Sequence, residues 1–190
     1  MQASATASPS TRDAILERAV DLASTEGLEG LTIGHLASDL RMSKSGVFAH
    51  FGSKQELQLA TIQAAGARVL ERVVAPAQEA DEGLPRLRRY CELYLDHLEK
   101  RGFAGGCFWA AAAAEFDDRP GPVRDAVRGG VEAWLGELAA QARLAGLTDP
   151  DQVAFELWSA ALGANMSRRL LGDDLAFDRA RRTIDVALGA

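Results

Sequence analysis

An all-α protein is predicted from three observations. Apolar residues recur at helical spacing along almost the whole chain, and no convincing period-2 run of β-branched residues interrupts them. Alanine, the strongest helix former, is abundant. Glycine and proline fall mainly between the periodic segments rather than inside them.

Each helix has a local justification. The first starts after Ser10, where Ser10-x-x-Asp13 is an acidic capping box. Its stripe is Ile15, Leu16, Ala19, Val20 and Ala23, and Gly27 stops it. A short second helix follows Thr32 as N-cap and turns Leu36, Ala37 and Leu40 inward. Ser43 caps a third, carrying Val47 and Phe51 at i, i+4, with Gly52 just beyond its end. Ser53-Lys-Gln-Glu56 is a full capping box and opens a long fourth helix to about Val74, which Pro76 should end.

Five more helices complete the chain. One spans about Pro85 to Arg101, with Leu87, Tyr90, Cys91, Tyr94, Leu95 and Leu98 on one face. A short apolar helix covers Cys107 to Phe116. Pro122 fits the first position of the next, which reaches about Ala145 with Val127, Val131, Trp134, Leu135 and Leu138. Asp149-Pro150 starts another to about Leu171, and the last covers about Leu175 to Leu188.

Composition narrows the function classes. The 190 residues carry 21 Lys+Arg and 27 Asp+Glu, a formal charge of −6, which excludes a highly basic polyanion-coating protein. Cys91 and Cys107 are the only cysteines, read as buried small hydrophobes rather than a disulfide or zinc pair. No metal and no cofactor are expected. Residues 1–10 have no basic start and no apolar core, so they do not read as a secretory signal. No apolar stretch approaches the ~20 residues that span a bilayer, so a soluble cytoplasmic protein without a membrane partner is expected.

An enzyme is not expected. Cys107 with His97 is the only plausible nucleophile pair, and Cys91 with His97 is spaced i, i+6, off one helical face. The chain contains no Gly-rich phosphate loop, no HExxH and no GxSxG.

Three short helices within residues 10–52, the last two joined tightly, match a helix-turn-helix. Such a unit needs one narrow exposed helix to enter a major groove and neighbours that brace it. The Ser43–His50 helix fits: Val47 and Phe51 anchor it, leaving Lys44, Ser45, Ala49 and His50 toward solvent. Residues 11–60 hold five Lys/Arg against seven acids, but residues 41–54 hold three basic residues, His50 and no acid. A small basic spot on an acidic body is where phosphate contacts belong.

The residues then become specific. Leu31-Thr-Ile-Gly-His-Leu-Ala37 and Met42-Ser-Lys-Ser-Gly-Val-Phe-Ala-His-Phe-Gly-Ser-Lys-Gln-Glu-Leu57 resemble the DNA-binding domain of the TetR family of bacterial transcriptional regulators, over about residues 10–57. The resemblance implies a homodimer on a palindromic double-stranded DNA operator, and a C-terminal domain whose small-molecule effector weakens DNA binding. It implies that Thr32 faces a phosphate, and that Ser43, Lys44 and Ser45 stand at the mouth of the reading helix. Phe48 occupies an aromatic position that usually carries Tyr, so it offers apolar contact without a phenol hydroxyl. His50 implies a backbone contact, and Lys54 a phosphate contact at a helix N-terminus. Thr32 and Ser43 acting only as caps, and His50 and Lys54 as solvated surface groups, are the plainer alternatives. Arg12 reads equally as a phosphate contact or a solvated cation.

The expected domains are an N-terminal arm over residues 1–9, without order, the DNA-binding unit over 10–57, its fourth helix continuing to about 75 as a connector, and a ligand-binding and dimerisation domain over 58–190. That second part holds all three Trp, both Tyr and five of the seven Phe. Aromatics in a helical core usually serve packing, but large walls beside small residues also make a cavity. A mostly apolar pocket bordered by Tyr94, Cys107, Phe108, Trp134 and Trp158 is expected. The stretch from Gly106-Cys107 to Val123-Arg124 also looks like one C-terminal subtype of the same family, though it names no ligand. The last two helices are the dimerisation candidates, through Phe155, Leu162, Met166, Phe177 and Ile184. The function expected is a ligand-responsive repressor; the alternative is a dimeric helical interaction module without specific DNA binding.

Overall fold

The computed structural model describes residues 10–189, and the expected N-terminal arm lies outside them. Among the described residues there are nine main helices and no strand: α1 Thr11–Glu26, α2 Ile33–Asp39, α3 Lys44–Phe51, α4 Lys54–Val69, α5 Leu84–Glu99, α6 Phe108–Phe116, α7 Pro122–Leu144, α8 Pro150–Leu170 and α9 Ala176–Ala187. No helix among them is long and apolar enough to cross a membrane.

The caps explain the boundaries. Ser10 Oγ accepts the Asp13 N–H while Asp13 returns the bond to the Ser10 N–H, a complete box. Ser53 Oγ accepts the Glu56 N–H at 3.1 Å, but the expected return bond does not form. The Ser53 N–H is already spent on the Phe51 carbonyl at 2.8 Å in the tight turn between α3 and α4. Cys107 caps α6 through its sulfur, which accepts the Ala110 N–H at 3.4 Å.

Pro76 does not end the fourth helix. The chain widens into a π turn over Leu70–Val74 and then stays helical through Ala75–Ala77. Proline in a regular α-helix would clash with the carbonyl four residues before it and leave it unpaired. A π turn just upstream changes that spacing, so the helix passes the proline at the cost of a local bulge.

Two layers share one core. In the N-terminal unit α1 packs on α4, and α2 and α3 close the other side, with Val47, Leu36 and Leu57 fully enclosed. Arg18 donates from Nε and Nη2 to the two carboxylate oxygens of Asp39, tying α1 to the end of α2. In the C-terminal part α7 touches α4, α5, α6 and α8, while α9 lies along α8. The predicted α5 stripe is buried throughout.

His97 sits in this core with 6% exposure, edge-on to Phe103, and its Nε2 has no hydrogen-bond partner. Burial, helped by Arg72 and Arg68, pushes its pKa down from the ordinary 6.5 to about 4. The folded state therefore holds the neutral ring. Its contribution to stability is complete above pH 6.5. It falls as the pH drops toward 4, where the unfolded chain binds a proton that the folded chain refuses. Melting temperature should decline across that window, and the decline should be shallower in His97→Met, whose side chain cannot charge. Parallel curves for the two proteins would contradict this origin.

Candidate nucleic-acid interface and effector cavity

The candidate reading surface is the outer face of α3. Val47 and Phe51 hold the helix from below, at 0% and 7% exposure. Lys44, Ser45, Phe48, Ala49 and His50 are all exposed, with Phe48 at 52%. An aromatic ring left this open on a helix so firmly anchored has no packing role within the chain. Lys44 and His50 make no ion pair among the described residues.

The other expected contacts are placed differently. Thr32 is exposed and its hydroxyl accepts the His35 N–H at 3.1 Å. Ser43 Oγ accepts the Gly46 N–H at 3.0 Å and meets Ser45 Oγ at 3.3 Å. Both hydroxyls therefore cap their helices, which leaves oxygen lone pairs and the hydroxyl hydrogen for another partner. Lys54 is turned back onto Glu29, Nζ to Oε1 at 3.0 Å, so its ammonium faces an acid of its own chain. A half-exposed pair of this kind is worth ~1 kcal/mol at most and can open. Arg12 lies over the Phe51 ring at 5.3 Å.

The two parts are joined through Glu115 on α6. Its carboxylate accepts the backbone N–H of Leu28 at 3.1 Å and of Glu29 at 2.6 Å, in the turn after α1. The turn runs through Gly27 with φ +91°, and a Cβ there would stand 2.3 Å from the Glu115 oxygen. Only glycine allows both the backbone conformation and the close approach. Arg68 on α4 adds a second tie, bonding Asp21 at 2.7 Å and lying over Phe103.

A cavity of about 300 Å³ opens between α4, α6 and α7. Gly66 and Val69 of α4, with Leu70 and Val74 of the π turn, form one wall. Trp109 of α6, Gly130, Val131, Ala133, Trp134 and Glu137 of α7, Tyr94 of α5 and Trp158 of α8 form the rest. The π turn, which the sequence did not suggest, thus lies in the cavity wall. The Trp109 ring slots beside Gly130, where a Cβ would be 2.3 Å from the indole.

Three of the five expected pocket residues, Tyr94, Trp134 and Trp158, meet in this wall. Cys107 and Phe108 do not. Phe108 is 1% exposed and packs against Phe103 and Trp109. The Cys107 thiol meets Tyr94 Oη at 3.3 Å, and burial pushes its pKa up, so it stays protonated at neutral pH. It has no imidazole partner, unlike the nucleophile pair considered from the sequence. Trp109 and Glu137 are the lining residues that sequence reasoning missed. Glu137 was legible in principle, because it lies on the same helical stripe as Gly130 and Trp134.

Glu137 is bonded on one side only. Tyr90 Oη and Gln141 Nε2 both donate to Oε1, at 2.9 and 3.1 Å. Burial, with this bond to Glu137, pushes the Tyr90 phenol up to about 12, keeping it a donor.

The dimerisation candidates divide. Phe155 and Met166 are exposed at 57% and 62%, and Leu162 is half-buried, all along one stripe of α8. Phe177 and Ile184 are buried at 2% and 6%, because α9 turns that face onto its own core. They are not available to a partner. Val186, on the other side of α9, is open at 76%.

Comparison with known proteins agrees with this architecture. Residues 83–184 match the family model described as "Tetracyclin repressor-like, C-terminal domain", and residues 15–61 match "Bacterial regulatory proteins, tetR family". No curated protein matches the sequence at a significant level. A TetR transcriptional regulator from Chloroflexus aurantiacus is 22% identical, with a TM-score of 0.85 and 94% of each chain covered. AibR, solved with isovaleryl coenzyme A and operator DNA, is 23% identical, with a TM-score of 0.73 over 92% of this chain and 97% of that one. A regulator from Saccharomonospora viridis, solved with choline, is 24% identical, with a TM-score of 0.76 over 94% and 95%. At these identities the likeness is one of fold.

Proposed function

Because the chain belongs to the TetR family of bacterial regulators, we propose that it is a repressor that binds a palindromic operator as a homodimer and is released by a small effector. The observation that carries this reading is the outer face of α3, which presents Lys44, Phe48 and His50 from a rigidly held helix with no acid between residues 41 and 54. Relatives of the same fold solved with operator DNA, a coenzyme A ester and choline support both halves of it. Binding to chromosomal DNA makes the cytoplasm its place of action.

The dimer reading rests on the α8 stripe. Phe155, Leu162 and Met166 form an apolar face that a second copy would cover by two-fold symmetry. Two α3 helices must then stand about 34 Å apart to reach successive major grooves. Leu162→Glu should convert the dimer to a monomer in analytical ultracentrifugation and reduce operator affinity at least tenfold. A dimer that survives the substitution would place the interface elsewhere.

Release follows from two connections. The cavity is walled by α4, which continues from the α3 turn, and by α6, which carries Trp109 at one end and Glu115 at the other. An effector that favours one spacing of these helices biases the position of the reading unit. The test is a gel-shift titration on the DNA upstream of the protein's own gene, with unrelated DNA as control. Equal affinity for both would refute a specific operator. Binding should weaken as salt rises, with a slope set by the number of phosphate contacts that the two half-sites make.

A further inference from the structure

We propose that the effector of this cavity is an organic cation, a quaternary or fully substituted ammonium with an apolar body. The inference rests on reading the cavity as the effector site and goes on to name its chemical class. All three tryptophans of the chain, Trp109, Trp134 and Trp158, line this one space together with Tyr94. Their π faces carry negative potential, and indole is the strongest of the natural cation–π partners. Tyr94 and Trp134 stand with ring centroids 5.0 Å apart, so two aromatic groups are already held side by side.

Glu137 is the only ionisable Asp, Glu, Lys, Arg or His in the wall. Its Oε1 accepts both available donors, Tyr90 and Gln141, and both donors are neutral. Its Oε2 has no hydrogen-bond partner, and the carboxylate has no ion pair among the described residues. Glu137 is half-buried, so its free oxygen can be reached by a cation held among the rings. No Lys or Arg lines the wall, so an anionic effector would meet repulsion and no counter-charge. A neutral apolar effector would use the rings but leave Glu137 unanswered. A substituted ammonium uses both: its charge faces Glu137 while its alkyl groups meet the rings without needing hydrogen-bond acceptors. At about 300 Å³ the chamber takes a small molecule of this class rather than a long-chain one.

The test uses the full chain and a pair of probes of equal shape, phenyltrimethylammonium and tert-butylbenzene. Tryptophan fluorescence and calorimetry should show the cation binding at least tenfold more tightly than the hydrocarbon. In Glu137→Gln that ratio should fall toward one. The comparison on the unsubstituted protein stands even if the variant folds poorly. Equal or tighter binding of tert-butylbenzene would overturn the cation assignment while leaving the cavity as an effector site. Binding of neither probe, with operator affinity unmoved by both, would overturn the assignment and the cavity reading together. Selective cation binding that persists unchanged in a folded Glu137→Gln protein would overturn the role given to the carboxylate.

Discussion

Replacing Lys44 and His50 by alanine should weaken operator binding on the order of 10²–10³-fold, with the dimer and the melting temperature nearly unchanged. The size follows from symmetry: two groups per protomer become four per dimer, each worth ~1 kcal/mol or somewhat more at a phosphate or base edge. The selectivity follows from the structure. Both side chains are exposed, neither makes an ion pair among the described residues, and alanine is the better helix former at each position. The loss should shrink as salt rises, because removing cationic contacts lowers the number of counterions released on binding. Phe48→Ala should act differently, reducing affinity with little change in salt slope. A double variant that binds the operator as the parent does would remove α3 from the interface.

Gly130→Ala should collapse the cavity between α4, α6 and α7. A Cβ at residue 130 would lie 2.3 and 2.4 Å from two ring carbons of Trp109, well inside contact distance. The indole must leave its slot, and the space it moves into is the cavity. Binding of phenyltrimethylammonium should fall at least tenfold and the tryptophan emission should shift. Overpacking of this kind costs about 1–3 kcal/mol, partly offset by the ~1 kcal/mol that alanine gains over glycine inside a helix. Gly129→Ala is the internal control. It lies one residue earlier on α7, with nothing within 4 Å of its Cβ position, so it should raise the melting temperature and leave ligand binding alone. If the two variants behave alike, Trp109 is not wedged as described.

The features legible in the sequence were those encoded within a turn or two of helix. Ser10, Thr32, Ser43 and Asp149 cap their helices as their positions suggested, because a cap couples residues only two or three apart. The α5 stripe was legible for the same reason. Even here local signals met competition: the Ser53 box stayed half-formed once the turn claimed its N–H, and Pro76 was absorbed by a π turn. The exposed face of α3 was readable because Val47 and Phe51 identify its buried side.

The cavity and the interdomain tie were not readable, since their partners are distant in the chain. Glu115 reaches backbone 86 and 87 residues away, and Tyr90 meets Glu137 across 47. Nothing near Cys107 or Phe108 indicates that they stand behind the wall while Trp109 enters it. Nothing near Phe177 or Ile184 indicates that α9 turns them inward. Helix type, caps and periodicity follow from short-range sterics and hydrogen bonding, so one strand of residues suffices to specify them. Which apolar faces become core, cavity or open surface depends on how nine helices divide a limited interior among themselves, and that division exists only after they pack.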